Sequence, residues 1–261
     1  MDTRSDRGVM LLIHGLWFHP SVWTSWLDEL DKAGYDAVVL SWNGRDRPSD
    51  DGPPAAEPGF DALLSAARRY VEAIGSQPIV IGHGVGGAVA ERLLNEGDAA
   101  AAISLAPVPG GYPAVPTATH LLRHGTRLAL LSLRGSAVAP AFPQFRRTIA
   151  NGSSTADAQN FYKRYVVTGK PRDVLPHAMR HRTPARSRQP QRGPLLLVAG
   201  GKDELIPEMS IALLHRGYRR RQPDAITDCK IFPDLDHTMG LGTQSVVVLF
   251  YCLDWLTAQN M

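Results

Sequence analysis

At 261 residues, 44% of them apolar, the chain is long enough for one large domain with a substantial core. Its formal charge is mildly positive at +3, from 28 Lys and Arg against 25 Asp and Glu, so any nucleic-acid face would have to rest on local basic clusters. No apolar run approaches the roughly 18 residues that span a bilayer, and the two cysteines have neither disulfide-framework nor metal-ligand spacing.

The start, Met1 to Gly8, is short and polar, so a cytoplasmic location is expected. Gly8 to His14 (GVMLLIH) reads as a buried strand that runs into His14-Gly15-Leu16-Trp17. Pro20 to Lys32 has Val22, Trp26, Leu27 and Leu30 at helical spacing, Ser21 as the expected N-cap and Gly34 as the stop. Ala37 to Trp42 is the next strand, Asn43 to Pro58 a Gly-, Pro- and Asp-rich loop, and Phe60 to Ile74 an amphipathic helix. Trp17, Trp23, Trp26 and Trp42 are expected in the core or a pocket wall.

The stretch Pro78 to Asn95, PIVIGHGVGGAVAERLLN, organises the rest. An apolar run (Ile79, Val80, Ile81) breaks into Gly82-His83-Gly84-Val85-Gly86-Gly87 and passes at once into a helical pattern. Strand, sharp turn and helix are the setting of the G-x-S-x-G nucleophile elbow, but the middle position here is Gly84. Glycine at such a tip relieves strain, so the architecture is kept while the nucleophile is lost.

Ala100 to Ala106 is another strand. Strands alternating with helices at this spacing predict βαβ units and a parallel sheet covered on both faces. Pro107 to Gly193 departs from the alternation, with helical stretches at Thr117 to Leu133 and Ala156 to Tyr165 but no convincing strand. It reads as a cap or lid inserted into a core of residues 1–106 and 194–261. Basic residues between Arg180 and Arg192 and at Arg219-Arg220-Arg221 lack interleaved aromatics and read as a solvated loop and helix end. Pro194 to Gly200 resumes the sheet, Met209 to Arg221 is helix, and Asp228 to Phe232 is strand. Gln244 to Ala258 is a closing helix with Val247, Val248, Tyr251 and Trp255 as its apolar stripe. Cys229 and Cys252, in that strand and helix, are expected core residues.

Groups at the carboxyl ends of parallel strands are where chemistry collects. Besides the elbow, three such ends carry polar groups: His14-Gly15-Leu16-Trp17, Gly200 to Pro207 with Asp203, and Pro233 to Gly240 with His237. With these four motifs in order, the chain resembles the α/β-hydrolase superfamily over nearly its whole length, starting from the third strand of the usual sheet. The resemblance implies nucleophile, acid and histidine at Gly84, Asp203 and His237, and oxyanion-hole amides from Leu16 or Trp17 and from Val85. His14 and His83 are expected at the substrate pocket, as wall or loop support rather than as second bases.

Three readings of function are open at this point. One is an enzyme that uses the His237–Asp203 pair and the amides for non-covalent acid–base chemistry, by elimination, cyclisation, epimerisation or water-mediated hydrolysis. Its substrate would be a small carbonyl-containing metabolite, and the resemblance makes specialised metabolism its plausible setting. The second is an ordinary serine ester hydrolase captured as an inactive variant, its serine changed to glycine, and the third a non-catalytic ligand-binding protein. Gly82, Gly84 and Gly87 also fit G-x-G-x-x-G, but the next strand ends Leu105-Ala106-Pro107 without the acid a dinucleotide site needs. No cofactor and no metal is expected. The partners expected are a small-molecule substrate, neither nucleic acid nor membrane, with a homodimer as the candidate assembly.

Overall fold

The computed structural model describes residues 7–41, 59–110, 137–180, 192–239, 241–242 and 246–261. Six strands form one sheet: β1 (Val9–Ile13), β2 (Asp36–Leu40), β3 (Ile79–His83), β4 (Ala101–Leu105), β5 (Leu195–Gly200) and β6 (Thr227–Phe232). All pairings are parallel, in the spatial order β2-β1-β3-β4-β5-β6. The central strands are continuous Val/Ile/Leu/Ala runs because both faces are covered. Every residue of β3, β4 and β5 is buried.

The helices among the described residues are α1 (Thr24–Lys32), α2 (Phe60–Ile74), α3 (Val85–Glu96), α4 (Phe142–Thr148), α5 (Thr155–Tyr165), α6 (Pro171–Arg180), α7 (Glu208–Arg221) and α8 (Val246–Ala258). None is long and apolar enough to cross a membrane. The expected strand–helix alternation holds. Trp42, the loop from Asn43 to Pro58, most of the basic loop after Arg180, and the expected helix from Thr117 to Leu133 lie outside the described residues.

Several local expectations need correction. The helix predicted from Pro20 opens as a 3-10 turn, Pro20–Trp23, capped not by Ser21 but by His19, whose Nδ1 accepts from the Ser21 N–H at 3.1 Å. On α8 the expected stripe holds for Val248, Tyr251 and Trp255, which face the core beside the buried Leu249, Cys252 and Leu256, while Val247 turns outward at 64% exposure. Cys229 is half-buried rather than core, because β6 is the sheet's edge. α4 and α6 went unseen in the sequence because Pro143, Pro171 and Pro176 read as loop signals. Pro171 and Pro143 sit in first turns, where the missing N–H costs nothing, and Pro176 is carried inside α6.

Arg192, expected on a solvated loop, is 5% exposed. Its guanidinium donates to the Gln222 side chain at 2.6 Å and to the carbonyls of Gly193 and Ile226, and lies over the Tyr218 ring. Next to it Glu91 of α3 is buried, accepting from the Tyr218 hydroxyl at 2.8 Å. Burial pushes the Glu91 carboxyl up to about 8. A carboxyl protonated in the folded chain and ionised in the unfolded one binds more protons when folded, so stability is greatest below the unfolded value and is lost as pH rises towards 8. In thermal melts, Glu91→Gln is expected to remove a slope of about 1.4 kcal/mol per pH unit between pH 5 and 8.

Candidate active site

The tip between β3 and α3 is Gly84, with φ +56° and ψ −112°. Its N–H donates to the Leu105 carbonyl at 2.9 Å, and its own carbonyl accepts from Val108 at 3.0 Å. The tight turn depends on the neighbouring glycines. A Cβ on Gly82 would lie 2.1 Å from the Gly86 oxygen, and one on Gly86 would lie 2.2 Å from the Ile13 oxygen. At Gly84, by contrast, a Cβ would meet only the Gly15 Cα, at 3.9 Å. The tip faces open space.

Beyond β5, Asp203 is buried, and its Oδ1 accepts from the N–H groups of Leu205 and Ile206 at 2.8 and 2.7 Å. Those bonds aim Oδ2 at His237 Nδ1, 2.7 Å away. A carboxylate there requires the proton on Nδ1, which leaves Nε2 of the neutral ring as a base. The two loops are joined by main chain, with Gly201 donating to Phe232 and Lys202 to Leu235, each at 2.9 Å. Glycine is needed at the seam, since a Cβ on Gly200 would come within 2.5 Å of the Leu235 oxygen.

His83, fully buried, donates through Nε2 to the His237 carbonyl at 2.8 Å and packs edge-on against its ring at 4.7 Å. Burial, with the neighbouring His237, holds His83 well below the ordinary histidine value, so the ring is neutral.

At the end of β1 the chain turns through Gly15 to Phe18, closed by the Phe18 N–H on the Gly15 carbonyl at 3.2 Å. The Leu16 and Trp17 N–H groups make no hydrogen bond to the described residues. With Val85, the first residue of α3, these two residues line a cavity of about 50 Å³. Gly84, His83 and His237 face the same space, and Val108, Leu205, Ile206 and two residues of α6, Leu175 and Met179, close it. The cavity is far smaller than the roughly 300–1,000 Å³ of a typical drug-sized pocket, and it suits the reacting end of a ligand.

The residues singled out from sequence therefore converge, with one exception. His14 is fully buried outside the cavity wall, its Nδ1 donating to the Gly15 carbonyl at 2.9 Å, and burial pushes it down to about 4. It supports the turn from behind, the loop-support role among those expected for it, and is not part of the cavity wall. Phe18, Val108, Leu175 and Met179 escaped the sequence reading. The spacing of Val174, Leu175, Ala178 and Met179 is helical and could have revealed α6 in spite of Pro176. Among the described residues no group of three or more His, Cys, Asp and Glu side chains could hold a metal ion.

Strand order and the placement of the site at the carboxyl edge define the class: this is a protein of α/β-hydrolase fold. The chain belongs to the alpha/beta hydrolase family, whose model matches residues 10–248. In structure it is similar to monoglyceride lipase from Saccharomyces cerevisiae, with TM-score 0.69 and 16% identity, over 97% of this chain and 87% of that one. Monoacylglycerol lipase from Paleococcus ferrophilus gives 0.68 and 17%, over 97% and 95%. MenH from S. aureus gives 0.68 and 14%, over 100% and 96%. At these identities the likeness speaks for the fold alone. No curated protein matches the chain in sequence.

Proposed function

We propose that the chain is an enzyme that moves protons on a small, neutral carbonyl compound without forming a covalent intermediate. The observation that carries this reading is the hydrogen-bonded Asp203–His237 pair facing the same cavity as a glycine tip. In this scheme Gly84 stands at the nucleophile position, and its missing side chain leaves room for a water or a substrate atom. His237 Nε2 takes a proton from the carbon beside the carbonyl, or from that water. Asp203 keeps the ring oriented and stabilises the imidazolium that forms. The negative charge that develops on the carbonyl oxygen is held by the amides of Val85 and of Leu16 or Trp17. The proton then returns to carbon, giving epimerisation, or leaves with a departing β-group, giving elimination. Where it came from water, the hydroxide adds to the carbonyl carbon and His237 passes the proton to the group expelled as the carbonyl re-forms, giving hydrolysis.

The wall supports an apolar, uncharged substrate. Among the described lining residues no side chain carries a fixed charge, and burying an unpaired carboxylate there would be costly. The two lipases among the structural relatives are named for acting on monoacylglycerols, which are carbonyl compounds of this kind. Residues 107–193 would then form the cap, with α6 presenting Leu175 and Met179 to the substrate and His83 lining the wall beside the base.

The test is proton exchange in D2O, followed by NMR over a panel of neutral esters, ketones and lactones. The unsubstituted chain is expected to exchange α-protons of at least one class, and His237→Ala to slow that exchange about 10²–10⁴-fold. Tight binding of such compounds with no exchange, unchanged by His237→Ala, would instead describe a receptor.

A further inference from the structure

Asp236, the residue before His237, is 4% exposed, and both oxygens of its carboxylate are engaged. Oδ1 accepts from the N–H and the hydroxyl of Thr238, at 3.0 and 2.6 Å, within its own loop. Oδ2 accepts from the Gly152 N–H at 2.9 Å and the Ser153 hydroxyl at 3.0 Å, in the turn between α4 and α5. A Cβ on Gly152 would lie 3.2 Å from that oxygen. One residue earlier, Asn151 donates through Nδ2 to the Lys202 carbonyl at 2.6 Å, next to Asp203.

The other end of α5 is fastened to the opposite side of the cavity. His19 donates to the Tyr165 carbonyl, and Val167 donates to the Trp17 carbonyl, each at 2.8 Å. Between the two anchors runs a chain of rings. Phe161 of α5 meets Phe18 edge-on at 5.3 Å, Phe18 lies tilted against His83 at 5.3 Å, and His83 meets His237. One helix thus connects the loop that carries the base to the turn that carries the Leu16 and Trp17 amides.

We infer that Asp236 is a positioning residue that locks α5 to the His237 loop, making α5 a fixed strut that sets the span between base and amides. This rests on the reading that His237 and those amides act on one bound group. A buried carboxylate with two donors on each side joins two segments rigidly, since freeing either pair leaves an uncompensated charge. α5 therefore does not open as a lid.

The test uses Gly84→Ser, in which a fluorophosphonate reports the geometry of base and amides as a saturating rate, kinact, with an apparent affinity KI. Asp236→Asn adds an amide whose single oxygen serves Thr238 or the Gly152–Ser153 pair, but not both. Added to Gly84→Ser it is expected to lower kinact about 10–100-fold while KI stays nearly constant, with folding confirmed by circular dichroism. Ser153→Ala removes one of four bonds and is expected to lower kinact less. An undiminished kinact in folded Asp236→Asn protein overturns the proposal.

A second readout does not depend on the base. Hydrogen exchange in the chain with Gly84 kept is expected to quicken at the His19 and Val167 amides when Asp236→Asn is introduced, although both lie at the far end of α5. Unchanged exchange there overturns the strut whatever the labelling shows. Failure of Gly84→Ser itself to label, with exchange altered as expected, would count against the base and leave the strut standing.

Discussion

Gly86→Ala is expected to leave little folded protein. A methyl group there would stand 2.2 Å from the Ile13 oxygen and 2.7 Å from its carbonyl carbon, both main chain of β1. Neither partner can move alone. β1 is paired on both sides, Met10 to Ile13 against β3 and Val9 to Ile13 against β2, and α3 is held by the turn at Gly84. Relief would require lifting the start of α3 off the sheet, undoing the turn. Destabilisation beyond about 4–5 kcal/mol is exceptional for one substitution and is expected here. It compares with a total stability of about 5–15 kcal/mol for an ordinary domain. The contrast is Gly75→Ala at the C-terminus of α2. There φ is +72° but a Cβ meets nothing within 4 Å, so only the left-handed backbone is penalised, by about 1–2 kcal/mol. Expression yield and thermal melts of the two variants should differ sharply. A wild-type melt for Gly86→Ala would contradict the backbone contact.

Gly84→Ser carries the largest expected change in activity. The site has space for a side chain, and the main cost is a non-glycine residue at φ +56°, about 1–3 kcal/mol. The hydroxyl would enter the cavity that His237 and Val85 also line. It would thereby gain a base to take its proton and amides to hold an oxyanion. Hydrolysis of activated esters is expected to appear, and adding His237→Ala is expected to lower kcat by about 10⁴-fold or more, as loss of one member of a cooperating set does. Turnover of p-nitrophenyl esters by the purified single and double variants measures both steps.

The sheet and its site were legible because each rests on a local pattern. Buried strands appear as short apolar runs, and chemistry in a parallel sheet sits where those runs end; the family resemblance then picked Gly84, Asp203 and His237 out of those ends before their contacts were known. The glycines at 82, 84 and 86 pointed to a tight turn, and each has a distinct steric role in the structure. What was not legible depends on partners distant in sequence. Asp236 looks like a loop residue until Gly152 and Ser153, more than 80 positions away, come to its Oδ2. Arg192 looks solvated until Gln222 and Tyr218 enclose it. His14 sits in the same motif as Leu16, yet the backbone turn buries one behind the cavity and brings the other to its wall. α6 was hidden by Pro176, a local signal that tertiary packing overrode.

The most direct measurement is covalent labelling by a fluorophosphonate of three purified, folded proteins: the unsubstituted chain, Gly84→Ser, and Gly84→Ser with His237→Ala. A base and amides assembled around an empty nucleophile position predict labelling of Gly84→Ser at residue 84, none of the unsubstituted chain there, and loss of labelling in the double variant. A folded Gly84→Ser that fails to label, or one that labels equally well without His237, would contradict the account.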